Sequence, residues 1–147
     1  MRTALLSLLL STVLLLGGCE NGNPSSGPAA ATGTVSGTVT YRERVALPAD
    51  AVIDVVIVDV TGGANSVVGS QQIMSDGNQV PIAFEAAYAT ADINPEHDYT
   101  VGATIQDGAG KLIFETAESV PVLTKGHPFQ DVTVTVVAPN VPVADEN

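Results

Sequence analysis

The two histidines are the first side chains to consider for acid–base chemistry or metal binding, because imidazole titrates near neutral pH. His97 lies in the polar sequence NPEHD and His127 in the sequence KGHP. A metal site would have to bring both histidines together with Glu96 or Asp98. Zinc sites usually carry closely spaced ligands such as HxxxH or CxxC, and the chain has neither spacing. We therefore expect two solvent-facing turn histidines, with no metal ion and no cofactor bound.

The acidic side chains do not form a catalytic pair in the sequence. Asp54 and Asp59 are five residues apart, which places them on opposite faces of a single strand. Asp59 is expected to cap the turn that begins near Thr61. The sequence DGAG at residues 107–110 lacks the alternating oxygen ligands and the closing Glu of a calcium loop, and it is instead typical of a β-hairpin.

Nucleophiles with an adjacent base are also missing. The sequence contains neither a GxSxG motif nor the phosphate-binding motif GxxxxGK[ST]. It has no Trp, three Tyr and three Phe, and most of these rings fall on predicted core faces, so a stacked-aromatic platform for sugars is poorly supplied. We predict that the protein is not an enzyme, and glycan binding is a less favoured function.

The single cysteine carries the clearest chemistry. A basic start is followed by the apolar run ALLSLLLSTVLLL at residues 4–16 and then by Gly17, Gly18 and Cys19. This run is shorter than the about 20 residues that span a bilayer, and the order of charge, apolar run and small residues matches a secretory signal peptide. The sequence LGGC resembles the lipobox of bacterial lipoproteins, in which the Cys receives a diacylglycerol and becomes the acylated amino terminus. We expect a signal peptide at residues 1–18, cleavage between Gly18 and Cys19, and lipid attachment at Cys19.

Such an anchor would hold a soluble domain on a membrane. Each buried methylene contributes roughly 0.8 kcal/mol, and two or more acyl chains bind firmly. Glu20 stands where Asp is the usual signal for inner-membrane retention, which favours the outer membrane and a periplasm-facing domain. Loss of the leader with its Arg2 changes the formal charge from −11 to −12, and this charge disfavours nucleic acid and anionic head groups as partners.

The chain that follows divides into three parts. Residues 19–33 are the lipidated Cys and a flexible tether rich in Gly, Pro, Ser and Ala, which would span roughly 20 Å as a coil. Residues 34–138 alternate between apolar and polar side chains and form the folded domain. Residues 139–147 carry two prolines and an acidic end, and we expect a disordered tail.

Period-2 alternation dominates the domain and predicts strands. The predicted strands are residues 35–42, 51–60, 67–74, 80–88, 99–106, 112–116 and 132–136. Short, evenly spaced strands separated by Gly- and Pro-containing turns predict an all-β fold, an antiparallel β-sandwich of about seven strands with an immunoglobulin-like arrangement. The segment 67–74 has no charged residue, so it is the least protected sheet edge.

Six strand and turn sequences are distinctive when taken together: GTVTYR at 37–42, LP at 47–48, VDV at 58–60, VPIAF at 80–84, YTV at 99–101 and PVLT at 121–124. In these sequences the chain resembles a known family, the YbaY/YscW group of lipoproteins. The resemblance covers roughly residues 33–137. It implies that this domain is similar to type III secretion pilotins, the YscW-like members that escort a secretin subunit to the outer membrane. Many YbaY-like members have no clear assignment.

Two functions remain open. In the first, the anchored domain binds or assists the assembly of a secretin-like envelope protein, which adds a strand to the edge at Val67, Val68, Ile73 and Met74 by main-chain hydrogen bonding. The alternative is a general envelope structural or stress lipoprotein with no secretin partner.

The anchor gives a direct prediction. Mass spectrometry of the native protein is expected to show a chain that begins at Cys19 and carries acyl groups, and Cys19→Ser should move the protein from the membrane fraction to the soluble periplasmic fraction. An unmodified thiol, or a chain that still carries its leader, would contradict the lipoprotein interpretation.

Overall fold

The computed structural model describes residues 30–63 and 65–139. The predicted signal peptide, Cys19, most of the tether and residues 140–147 of the tail lie outside the described residues. No helix within the described ranges is long and apolar enough to cross a membrane. The described residues form eight strands: β1 (Thr32–Thr40), β2 (Val52–Asp59), β3 (Ser66–Met74), β4 (Ile82–Ala89), β5 (Tyr99–Gln106), β6 (Leu112–Thr116), β7 (Val120–Val122) and β8 (Val132–Val137).

Seven of these strands close into a ring. Their order is β2-β3-β4-β1-β8-β6-β5, and β5 pairs again with β2. The closing pair is antiparallel and runs without a break from Val52↔Gln106 to Asp59↔Tyr99. The short strand β7 pairs with β5 beyond the end of β6. The architecture is therefore a closed β-barrel.

The predicted antiparallel β-sandwich is wrong, although the all-β class is right. The β2–β5 pairing joins the two ends of one continuous sheet, and β1 and β8 are parallel neighbours. A barrel and a sandwich both bury one face of every strand, so they produce the same period-2 pattern. The pattern does not show which strands are neighbours. Whether the sheet closes into a barrel depends on which strands pair.

The barrel interior is packed with the apolar side chains that the alternation assigned to the inner face. Val35 and Val39 of β1 are fully buried, as are Val101 and Ile105 of β5. In β2, β4 and β8 the buried residues likewise alternate with exposed or half-buried ones. The apolar faces predicted for β1, β4, β5 and β8 are confirmed, whereas β2, whose sequence is apolar on both faces, fully buries only the face that carries Ile53, Val55 and Ile57. The interior is a core rather than a channel, as expected for a small barrel.

The two ends of the barrel differ in their relation to the predicted tether. Strand β1 begins at Thr32, two residues before the predicted start of the domain, and Thr32 pairs with Ala89 at the end of β4. We call this the tether end. The opposite, distal end contains the end of β3 at Met74, the start of β2 at Val52 and the end of β8 at Val137.

Gly37 allows the parallel contact between β1 and β8. A Cβ atom at this position would overlap with the backbone carbonyl of Val132, which is its register partner in β8. A side chain cannot rotate away from a clash that begins at its own Cβ. The close approach of the two backbones therefore requires glycine.

We predict that Gly37→Ala destabilises the barrel by about 1–3 kcal/mol, the usual range for overpacking. The matched control is Thr38→Ala on the next residue, which already carries a Cβ and is expected to change stability by less than about 0.5–1 kcal/mol. Urea unfolding of the full chain measures both. Equal midpoints for the two variants would show that the contact with Val132 does not constrain the fold.

Candidate functional site

Strand β3, the predicted edge, lies between two neighbours. It pairs with β2 along its whole length but with β4 only at Gly69↔Tyr88 and Ser70↔Ala87. A Cβ on Gly69 would lie 2.5 Å from the carbonyl oxygen of Ala87, so this is the point of closest contact. The edge is thus closed at its centre and separates from β4 on both sides.

The four predicted partner-binding residues do not form one site. Val67 and Val68 lie next to the β-bulge where β3 leaves register with β2, at the tether end. Ile73 and Met74 lie at the distal end of the same strand, seven residues beyond Val67 and roughly 24 Å away at about 3.4 Å per residue. Val67 is 62% exposed and Met74 is 49% exposed. The distal pair, Ile73 and Met74, lines a cavity.

That cavity lies where β3 and β4 separate, and we call it the distal seam. It has a volume of about 320 Å³ and is lined by Ile73, Met74, Ser75, Asn78, Gln79, Pro81, Ile82 and Ala83. At its inner limit the backbone N–H of Glu85 donates to the side-chain Oε1 of Gln71 at 2.6 Å. A side chain therefore takes the place that a main-chain carbonyl would occupy in a regular ladder.

A second opening lies on the other side of the ring, between β8 and the segment that joins β6 to β7. Strands β6 and β8 pair only at Glu115↔Val137 and Thr116↔Val136, followed by one bond from the N–H of Ala117 to the carbonyl of Thr135 at 3.1 Å. The cavity here has a volume of about 540 Å³. It is lined by Arg42, Ala117, Glu118, Ser119, Val120, Pro121, Thr133, Thr135 and Val137, and we call it the Arg42 groove.

The loop between these two openings is held in place by hydrogen bonds. This distal loop, residues 41–50, connects β1 to β2. The amide of Gln79 bonds to both the N–H and the carbonyl of Leu47, at 2.7 and 3.1 Å. The buried hydroxyl of Ser75 donates towards the carbonyls of Pro48 and Ala49 at 2.8 and 3.0 Å. The ring of Tyr41 stacks on Phe114 with 4.4 Å between centroids.

His97 and Asp59 form a pair at the tether end that the sequence did not reveal. The Nδ1 atom of His97 lies 2.6 Å from Oδ2 of Asp59, although the residues are 38 positions apart. The side chain of Asp59 is only 16% exposed. Its Oδ1 accepts the N–H of Thr61 at 2.9 Å, so the predicted turn cap is confirmed. The hydrogen bond from His97, followed by the Thr61 backbone bond, lowers the pKa of Asp59 below its ordinary value.

The turn after β7 contacts residues 93–98, the segment that carries His97 and leads into β5. Leu123 has a φ of 71° and the N–H of Thr124 bonds to the carbonyl of Val122 at 2.9 Å, which is a strained γ-turn. The buried hydroxyl of Thr124 donates to the carbonyl of His97 at 2.6 Å, and Lys125 pairs with Asp98 at 2.7 Å. These bonds offset the strain and fix the tether end.

The structure does not join the histidines into a metal site. His127 is exposed in the turn after Lys125, whereas His97 contacts Asp59. Within residues 30–63 and 65–139 no group of three His, Cys, Asp or Glu side chains is placed to hold a metal ion.

Three comparisons with known proteins agree with one another. The family described as "Type III secretion system lipoprotein chaperone (YscW)" matches residues 30–135. The "Uncharacterized lipoprotein YbaY" of Escherichia coli strain K12 is 34% identical over 111 residues, which cover 73% of this chain and 57% of that protein. An alternative pilotin from the type II secretion system of Vibrio cholerae superposes with a TM-score of 0.67 and 33% identity, covering 74% of this chain and all of that structure.

The Asp59–His97 pair predicts a pH dependence. Because the folded-state pKa of Asp59 lies below its ordinary value of 3.8, its ionised form adds stability above about pH 4, and this contribution is lost as the pH falls through the lowered value. We expect Asp59→Asn to reduce the free energy of unfolding at pH 6 and to reduce it by less at pH 3, where the contribution of the ionised form is already being lost. Asp54→Asn, which removes an equal charge from the same strand, is the control. An equal loss at both pH values would contradict the ionic origin.

Proposed function

Because this chain belongs to the YscW family of type III secretion system lipoprotein chaperones, we propose that it is a lipid-anchored envelope lipoprotein that binds a secretin-like protein and assists its assembly at the outer membrane. The resemblance found in the sequence is confirmed, since the YscW family, YbaY and a secretion-system pilotin all match the chain. This family is described as a chaperone family, and we propose no enzymatic activity.

The proposed anchor at Cys19 determines how the barrel would face the periplasm. The proposed tether leads into Thr32 at the tether end, and the twelve residues between Cys19 and Thr32 would have a root-mean-square span of about 20 Å as a flexible coil. The distal end would then point away from the membrane. Both the distal seam and the Arg42 groove would be accessible to a periplasmic partner.

The separation of β3 from β4 is the observation that carries the proposal. The N–H of Glu85 bonds to a Gln71 side chain rather than to a β3 carbonyl. Because hydrogen-bonding direction alternates along a strand, the N–H and carbonyl of Ala83 point to the same side. The β3–β4 register does not extend to Ala83. An extended segment of a partner could bond to these groups along β4 as an added strand.

Apolar side chains complete this binding surface. Met74 is 49% exposed and Ile73 packs partly against the core, and both line the distal seam together with Ile82. Alternate side chains of an added strand point to one face, so a partner segment with apolar residues at every second position would place them against Met74 and Ile73. Binding would shield apolar surface that is otherwise exposed to water.

The relatives also favour a secretion role over a general one. The superposed Vibrio cholerae structure is itself a pilotin, whereas the name of the Escherichia coli relative states no function. A general envelope lipoprotein with no secretin partner is therefore the competing outcome of the experiment below.

We predict that Met74→Glu impairs secretin assembly. In cells that lack the chromosomal gene, the wild-type protein should restore secretin multimers to the outer membrane, and Met74→Glu should reduce their amount several-fold because a charge is placed in the apolar seam. Membrane fractionation on a density gradient, followed by immunoblotting for the secretin, measures this amount.

The matched control is Val67→Glu, an equal change at an exposed apolar position of the same strand, at the tether end and outside the distal seam. It should leave assembly intact. If secretin multimers reach the outer membrane without this protein, the general envelope role replaces the proposed one. If the two variants behave alike, the partner does not bind at the distal seam.

A further inference from the structure

The distal loop carries two cations that have no ion-pair partner among the residues the structure describes. The described ranges contain four Lys and Arg residues, namely Arg42, Arg44, Lys111 and Lys125. The ion pairs found there are His97–Asp59 and Lys125–Asp98. Arg42 and Arg44 are exposed, in a protein whose formal charge is −11.

The acidic residue between these arginines, Glu43, forms no ion pair with either of them. Oε2 of Glu43 accepts the backbone N–H of Arg42 at 3.1 Å, and Oε1 accepts the backbone N–H of Ala138 at 3.3 Å. Both oxygens of this carboxylate are thus hydrogen-bonded to backbone N–H groups, and neither pairs with a guanidinium group. The bond to Ala138 also holds the distal loop against the end of β8. Arg42 therefore lies among the residues that line the groove.

The walls of the groove leave main-chain groups of β8 available. The carbonyl of Thr135 accepts the N–H of Ala117, so by strand alternation the N–H and carbonyl of Thr133 point towards the same side. The β6–β8 register does not reach Thr133. On the opposite wall, Pro121 of β7 has no N–H and cannot form a regular ladder with β8.

We propose that the Arg42 groove binds an extended acidic segment of the partner protein, with a carboxylate on Arg42 and the main chain along β8 at Thr133. This inference rests on the proposed function, since it describes the chemistry of a protein partner. A guanidinium can hold a carboxylate through two parallel hydrogen bonds.

The charge of the remaining surface favours an acidic segment at this place. An acidic segment is repelled by most of a protein with a net charge of −11, so the guanidinium of Arg42, which has no ion-pair partner among the described residues, would select the position of a carboxylate of that segment. Glu118 also lines the groove, and its negative charge repels any carboxylate of the segment that lies beside it. The two charges together set the direction in which the segment lies.

The test uses the full chain in detergent micelles and two synthetic nonapeptides, one alternating valine with glutamate and one alternating valine with glutamine. Isothermal titration calorimetry should show at least tenfold tighter binding of the glutamate peptide, weakened by added salt. Arg42→Gln should weaken the binding of the glutamate peptide about tenfold, and Arg42→Lys should weaken it less, because the positive charge is kept. Glu118→Gln should strengthen binding.

Lys111→Gln is the matched control, because it removes the same charge from the distal end without lining the groove. It should leave the affinity for the glutamate peptide unchanged, and thermal unfolding should show that all variants are folded. Equal affinity for both peptides, no binding of either, or an equal effect of Arg42→Gln and Lys111→Gln would overturn the inference.

The outcome is independent of the secretin experiment. Loss of peptide selectivity with Met74-dependent secretin assembly intact would remove only the groove assignment. Selective binding of the glutamate peptide in a protein that secretin assembly does not require would leave the groove in place with a different acidic partner.

Discussion

The pairing of β2 with β5 is the interaction on which the rest of the structure depends. It joins the two ends of a seven-stranded sheet across eight register positions, and it removes the free edges that a sandwich of these strands would have had. Each hydrogen bond in such a ladder contributes only about 1 kcal/mol net, but an unpaired ladder would expose all of its groups to other chains. Once the ring is closed, a partner can reach main-chain groups only where the ladder between neighbouring strands is short.

The ladder is short at two places, and side chains explain both. At β3–β4 the backbones touch at Gly69 and then diverge, with Gln71 satisfying the N–H of Glu85. At β8 the continuation of the ladder faces β7, whose central residue is Pro121. Both openings lie beside the distal loop, which hydrogen bonds to Gln79 and Ser75 hold in one conformation. This arrangement supports the proposed binding of an extended partner at the distal end of the barrel.

The tether end is built in the opposite way. Asp59 and His97 join β2 to the loop before β5, and Thr124 and Lys125 bind that same loop from the other side. The strained turn at Leu123 is retained because these bonds fix the residues around it. We therefore interpret the histidine as a structural contact rather than as a proton carrier.

The sequence by itself determined where the strands lie and which of their faces are buried. Residues 99–106 and 112–116 were predicted with the observed bounds, because side-chain alternation is a local consequence of the pleat. The three-residue strand β7 was missed, since it is too short to show a period. The family resemblance was also readable, because it rests on those same strands and turns.

Only the tertiary structure decided that the sheet closes, that β1 and β8 are parallel, and that β3 is a partly open seam rather than an edge. It also decided that Asp59 meets His97 and that the carboxylate of Glu43 bonds to the backbone N–H of Ala138. Each of these facts depends on pairing between residues distant in the chain. The period-2 alternation shows on which face of the sheet a side chain lies but not which strand is the neighbour of its own strand. The same alternation is therefore compatible with a sandwich and with a barrel.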